Sequence, residues 1–265
     1  MESAGSPAFA GQPYPLVMRL VAIALLVVLS APALAGPEAP PSGTVRFAYT
    51  GQIETLDPAL ASSEPARTCV HNIFDQLYEH AHLPRPYRLK PALAAAPPEV
   101  SEDGLTQTIR LRKGVRFVDD ACFPVSRGRE LTAEDVVFCI KRLMDANVKS
   151  PHTWMFERKI KGLDAFAASS KKASVNPTRS AYRTSEGYAE VPGLEVVDAH
   201  TLRIHLLEPT PELAWMLAST WVSIYPPEAV RKYGKQLGRH PIGTGPYRLL
   251  LYDAKRALTL RHNPR

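Results

Sequence analysis

The chain has 265 residues, 45% hydrophobic and 22% charged, which is apolar content enough for one large or two ordinary globular domains and excludes intrinsic disorder over most of its length. Its 32 Lys and Arg against 26 Asp and Glu give a formal charge of +6, but the two signs are interspersed and no like-charge block exceeds Lys171-Lys172. Proline is the outlier: 25 residues, nearly twice the usual share of about 5%, in short pairs and triplets that mean rigid turns and exclude a collagen-like or PxxP array.

The only long uncharged apolar run is Leu20 to Leu29, preceded by Arg19 and followed by Ser30-Ala31-Pro32-Ala33-Leu34-Ala35. A basic residue, a short apolar stretch and an Ala-x-Ala exit stand in the order of a secretory signal, so residues 1–35 read as a signal peptide cleaved after Ala35. A membrane span needs about 20 apolar residues, and Pro32 with Pro37, Pro40 and Pro41 cuts the run short. Met18 is an alternative start that would make residues 1–17 spurious. With no Cys after the run there is no lipid-attachment signal, and a soluble, periplasmic protein is expected, with no nucleic acid as partner. Cys69, Cys122 and Cys139 then meet an oxidising compartment. One disulfide and one buried thiol fit that count. Cys139 falls on the apolar side of a helix, and a Cys69–Cys122 pairing stays open because sequence does not give connectivity.

Val45, Phe47 and Tyr49 alternate as a strand ended by Gly51, and Ala66 to Tyr78 carries apolar residues at helical spacing. A Pro-rich loop runs from His82 to Pro98. Asp103-Gly104 marks a turn, Leu105 to Arg112 a strand, and Gly114 turns the chain into a hairpin partner carrying Val115 and Phe117. Thr132-Ala133-Glu134-Asp135 has the form of a capping box, opening a helix to about Ala146. Asp164 to Glu190 is small and polar and reads as an exposed, partly mobile insertion. Leu194 to Val197 and Thr201 to Leu206 form a hairpin about Asp198-Ala199-His200. Thr210 as cap, Pro211 and Glu212 start a short helix through Ala218, Pro226-Pro227 a second over Glu228 to Tyr233. Two strands follow, carrying Tyr247, Leu249 and Leu251, then Leu258 and Leu260.

No GxSxG, SxxK or HExxH motif is present, and the glycines form no phosphate-cradling loop. His71, His80 and His82 lack the helical pairing of a metal site, and no CxxC spacing exists. The residues alone therefore read as an exported, non-enzymatic α/β binding protein without cofactor or metal.

Four segments, taken together, go further: Leu56-Asp57-Pro58; Asn72-Ile73-Phe74-Asp75-Gln76-Leu77-Tyr78-Glu79; Ile109 to Phe117 with Leu131-Thr132-Ala133-Glu134-Asp135-Val136-Val137 behind it; and Pro241-Ile242-Gly243-Thr244-Gly245-Pro246-Tyr247. In order and spacing, with Ser150-Pro151 and Arg261-His262-Asn263-Pro264, they resemble the family 5 extracellular solute-binding proteins, the oligopeptide- and dipeptide-binding components of ABC importers. Two departures stand out. The stretch Val118 to Glu130 is longer than the family's compact turn, and members of the family are typically about twice this long.

The resemblance implies a periplasmic binding protein type II-like first lobe of α/β class, a mixed sheet with flanking helices, and the second lobe absent. Residues 36–74 and 192–265 would form the lobe core and 75–191 a subdomain inserted in it. By motif position the ligand-binding residues would be Ser62, Ser63, Glu64, His152, Thr244 and Gly245. The partners would be a peptide or similar small solute and the permease subunits of an importer in the inner membrane, the protein itself a monomer; peptide, nickel chelate, sugar and opine remain open as cargo. Half a cleft implies no peptide affinity measurable by titration calorimetry for these residues alone. The alternative is an interaction module that docks a permease or a separately encoded second lobe without binding ligand.

Overall fold

The structure, a computed structural model, describes residues 45–46, 48–83, 85–172, 188–253 and 257–264. The signal-peptide reading of residues 1–35, Phe47 and residues 173–187 of the polar stretch lie outside them. Residues 1–48 form a separate unit, in which Val45, Arg46 and Ala48 are exposed and outside regular structure. The strand expected over Val45 to Tyr49 is therefore not formed in the described residues. Alternation specifies a strand only where a ladder and a buried face receive it, and here Val45 is 73% exposed.

From Tyr49 onward the chain is one unit around one continuous apolar core, from Leu56 to Ile242. Helix α1 (Glu64–Ile73) starts at Ser63, whose hydroxyl accepts from the Ala66 amide at 3.3 Å, with Pro65 in the first turn. It stops five residues short of the expected Tyr78. Phe74 is already extended, the Gln76 side chain donates to the Phe74 carbonyl and to Ser223 Oγ, and Tyr78 begins β1 (Tyr78–His80). The Leu77 and Tyr78 side chains are buried all the same, from extended backbone rather than from a helix. β1 pairs antiparallel with β2 (Leu89–Pro91), which lies inside the stretch expected to be loop.

The four-stranded sheet has the order β3-β4-β6-β5, from β3 (Glu99–Val100), β4 (Thr106–Arg110), β5 (Leu194–Asp198) and β6 (Thr201–His205). All pairings among the described residues are antiparallel, so a parallel component of the expected mixed sheet is not among them. The Asp103-Gly104 turn is as read: Gly104 has φ +72°, and Asp103 Oδ1 accepts from the Leu105 amide at 2.9 Å. The partner of β4 across that turn is β3, not Val115 and Phe117. Those residues are carried off by Gly114, so that Arg116 bridges Glu130 and the Phe117 amide donates to the Arg129 carbonyl.

Helix α2 (Ala133–Met144) begins as expected, the Thr132 amide donating to Asp135 Oδ2 at 2.9 Å. Asp135 is buried and shares the Arg129 guanidinium with Glu228. The stretch expected to be an exposed insertion opens instead as α3 (Leu163–Lys172), packed on α2 with Leu163, Phe166 and Ser170 buried. Small polar composition concealed it, because only two large apolar side chains anchor this short helix. Helix α4 (Leu213–Met216) is shorter than expected. The Thr210 hydroxyl donates to the Glu208 carbonyl instead of capping, and Glu212 takes the cap position. Helix α5 (Pro227–Tyr233) and the hairpin β7 (Tyr247–Asp253) and β8 (Ala257–His262) follow the pattern read from the sequence. All three cysteines are free thiols, which decides the open Cys69–Cys122 pairing against a bond; Cys139 is buried, its sulfur accepting from the Tyr225 amide.

Candidate functional site

The loop after Leu56 is fixed from beneath. Asp57 sits in a two-pronged ion pair with Arg142 of α2, at 2.7 and 2.8 Å, and Arg142 also donates to the Tyr225 hydroxyl at 2.8 Å. Both charged side chains are almost wholly buried. Burial disfavours the Arg142 cation, but the Asp57 carboxylate outweighs it, so the guanidinium stays protonated. Asp57 thereby anchors the loop and is unavailable to a ligand.

On that base the next residues fold into a tight arch. The amides of Ser62 and Ser63 both donate to Glu54 Oε1, at 2.7 and 2.9 Å, and the Ser63 hydroxyl donates to the other oxygen of the same carboxylate. Burial pushes the Glu54 carboxyl up, yet those three donors prevail and hold it below the usual range. Glu64 is exposed in the first turn of α1.

Behind the arch stands an aromatic group. The Trp221 Nε1–H donates to the Ala61 carbonyl at 3.0 Å, and His152 lies flat on the Trp221 ring, centroids 4.1 Å apart and planes 14° from parallel. His152 is placed by Ser150, whose hydroxyl donates to the Ala59 carbonyl at 2.6 Å and accepts from the His152 amide at 3.2 Å. Trp154 meets Trp221 edge-on at 6.3 Å and is 60% exposed, and the Arg67 guanidinium lies 5.7 Å from the Trp221 centroid. Burial, reinforced by the Arg67 charge against the pull of the Ala61 carbonyl, holds the His152 pKa below its usual value, so the ring is neutral at pH 7.

Thr244 and Gly245 lie elsewhere, at the far end of α1. The ten residues of that helix span about 15 Å. The Thr244 hydroxyl donates to Asp75 Oδ2 at 2.8 Å. Burial pushes the Asp75 carboxyl up, and this hydrogen bond offsets part of the shift. Gly245 donates its amide to the Ile73 carbonyl at 3.0 Å and accepts from the Asn263 side chain at 2.9 Å, and a Cβ there would stand 2.7 Å from Ile73 backbone. Its role in the fold is close packing on the end of α1. The six expected residues thus divide: Ser62, Ser63, Glu64 and His152 gather around the arch and Trp221, whereas Thr244 and Gly245 sit across α1.

Sequence reading missed Trp221, Trp154 and Arg67. The signal available was a tryptophan two residues after His152, one of only three in the chain. Two hollows among the described residues hold none of the expected residues. One, of about 270 Å³, is lined by Pro98, Gln107 and Pro211 among others, and another, of about 400 Å³, by Asp120, Arg239 and Tyr252 among others. Among the described residues no group of His, Cys, Asp and Glu is placed to hold a metal, and no helix is long and apolar enough to cross a membrane.

The sequence profile of the bacterial extracellular solute-binding proteins, family 5 Middle, matches residues 88–265. The probable ABC transporter periplasmic-binding protein SapA of Escherichia coli K12 is 32% identical, covering 93% of this chain and 43% of its own length. The glutathione-binding protein GsiB of Salmonella choleraesuis is 30% identical over 87% of this chain and 35% of its own. Among solved structures, the pheromone receptor PrgZ superposes with a TM-score of 0.62 at 26% identity, over 80% of this chain and 38% of PrgZ. The murein tripeptide binding protein MppA of Escherichia coli gives 0.63 at 23%, over 81% and 37%. The chain spans less than half the length of the relatives it matches, and its α/β fold is that of the type II periplasmic binding proteins.

Proposed function

Because this chain belongs to the bacterial extracellular solute-binding proteins of family 5, we propose that its residues form one wall of the solute cleft of an exported binding protein, which takes up peptides or similar small solutes and hands them to the permease subunits of an ABC importer. The observation that carries this reading is the arch of Ser62 and Ser63 standing against the His152–Trp221 stack. An enclosed peptide must have its backbone polar groups met by protein donors and acceptors, and an aromatic wall beside a polar loop offers apolar contact and hydrogen bonds together. Ser62, Ser63, Glu64 and His152 are assigned to the solute, with Trp221 and Trp154 as apolar surface. Thr244 and Gly245 bound the wall at the far end of α1, where the Thr244 oxygen keeps acceptor capacity.

In this reading residues 36–74 and 192–265 make the core of the first lobe, residues 75–191 an inserted subdomain, and residues 1–35 the export signal. The protein works by binding, without catalysis and without a cofactor. The test is uptake. Cells lacking the gene should take up a mixture of labelled di- to pentapeptides more slowly, and a copy of the intact gene should restore the rate. Unchanged peptide uptake in the deletion strain would overturn the peptide assignment.

A further inference from the structure

Two buried nitrogens beside Trp221 have no hydrogen-bond partner: His152 Nε2 and Arg67 Nε. Buried polar groups in native proteins are almost always paired, and each exception calls for a physical account. His152 is only 6% exposed, yet nothing in the fold uses this nitrogen. Arg67 lies half-buried on α1, and among the described residues no carboxylate pairs with it. Its guanidinium lies over the Trp221 ring at 5.7 Å, and His152 stacks on that ring at 4.1 Å. An unneutralised cation, an unsatisfied imidazole nitrogen and the exposed face of Trp154 therefore adjoin one indole. The nearest acid of the arch, Glu54, is already committed to three donors from Ser62 and Ser63.

Resting on the solute-binding reading, we infer that this corner is a carboxylate subsite: Arg67 takes the charge of a ligand carboxylate, His152 Nε2 accepts from an N–H next to that carboxylate, and Trp221 with Trp154 holds the flat or apolar group beside it. Arginine suits this role because its planar donors match a carboxylate and its face stacks on an aromatic ring at the same time. The neutral imidazole carries one proton, and the Ala61 carbonyl holds it on the other ring nitrogen, so Nε2 is an acceptor. A ligand bearing an amide at that position would leave the Arg67 charge unmet.

The test uses the whole chain and three probes followed by the indole N–H resonances of its three tryptophans, assigned with W154F and W215F. The probes are N-acetylphenylalanine, which carries a terminal carboxylate; N-acetylglutamic acid α-amide, which carries only a side-chain carboxylate; and N-acetylphenylalaninamide, which carries none. At least one acid is expected to shift the Trp221 resonance with millimolar affinity, and to bind about fivefold or more tightly than the amide, a preference R67Q should abolish and R67K keep in part. Whichever acid binds identifies the source of the carboxylate. Unfolding midpoints of both Arg67 variants verify that they are folded. Equal binding of acids and amide overturns the carboxylate subsite and leaves solute binding standing. No shift from any probe also overturns the carboxylate subsite, while the solute-binding reading stands or falls with the uptake test.

Discussion

Replacing Asp57 by alanine removes the carboxylate paired with a guanidinium that is 1% exposed, and among the described residues leaves Arg142 with the Tyr225 hydroxyl as its partner, its Nε having none even in the intact protein. Breaking a buried pair on one side costs about 3–5 kcal/mol, because the surviving charge stays desolvated. In a unit of this size each kcal/mol lowers the melting temperature by about 2–4 °C, so D57A should melt about 6–20 °C below the parent. D57N should fare little better: it keeps the volume but loses the charge and turns one acceptor into a donor facing the guanidinium. R142M strands the Asp57 carboxylate, although Asp57 Oδ1 still accepts from the Ala59 amide at 3.2 Å. The double variant D57A/R142M removes both charges and should recover part of the loss, with a coupling of about 2 kcal/mol or more. Urea and thermal unfolding at pH 7, followed by circular dichroism, give the four values of the cycle. A D57A variant within about 1 kcal/mol of the parent, or single-variant losses that simply add, would refute the assignment of Asp57 as the anchor of the arch.

Three further outcomes follow from the geometry. G243A places a Cβ 2.2 Å from the Ile73 carbonyl oxygen, which belongs to backbone and cannot swing away, so it should cost about 2 kcal/mol or more; a parent-like melting temperature would contradict this. S63A loses the cap of α1, worth about 1 kcal/mol, together with the hydroxyl that helps hold Glu54 below its usual pKa. A carboxyl with a lowered folded pKa stabilises above the unfolded value, about 4.3, and the contribution is lost as pH falls through the folded pKa. The gap between S63A and the parent should therefore narrow from pH 7 to pH 3, and a constant gap would count against the Glu54 assignment. The lowered pKa of His152 works in the same sense. Its neutral form stabilises above about pH 6.5, and that stability is lost as pH falls through the folded value. The parent should thus lose stability on acidification relative to H152F, which keeps the ring and does not titrate; parallel pH curves would speak against a buried, neutral His152.

What the sequence disclosed was local chemistry. The Thr132–Asp135 cap, the turns at Asp103-Gly104 and Asp198-Ala199-His200, the proline entering α5 and the β7–β8 hairpin each depend on residues a few positions apart, and each is in place. What stayed hidden depends on distant partners. Leu77 and Tyr78 look helical, but the β1–β2 ladder claims Tyr78, the Ala92 and Ala94 amides donate to the Leu77 carbonyl, and Gln76 bonds to Ser223, 147 residues away. Leu56-Asp57-Pro58 served as a recognition motif without a reason; the reason is Arg142, 85 positions on. The resemblance named Ser62 to Glu64 and His152 by motif position, and the structure places them around one arch. Trp221 was not named, since its tie to Ala61 spans 160 residues, and its own neighbourhood reads simply as the end of a short helix.

The central claim is that Ser62, Ser63, His152 and Trp221 face the solute. A peptide carrying benzoylphenylalanine, irradiated with the whole chain and mapped by digestion and mass spectrometry, tests this most directly. The account predicts adducts within residues 60–67, 150–154 and 219–222. Labelling confined to the hollow at Gln107 or to the β7–β8 hairpin, or no labelling above that of an irradiated mixture with excess unlabelled peptide, would contradict it.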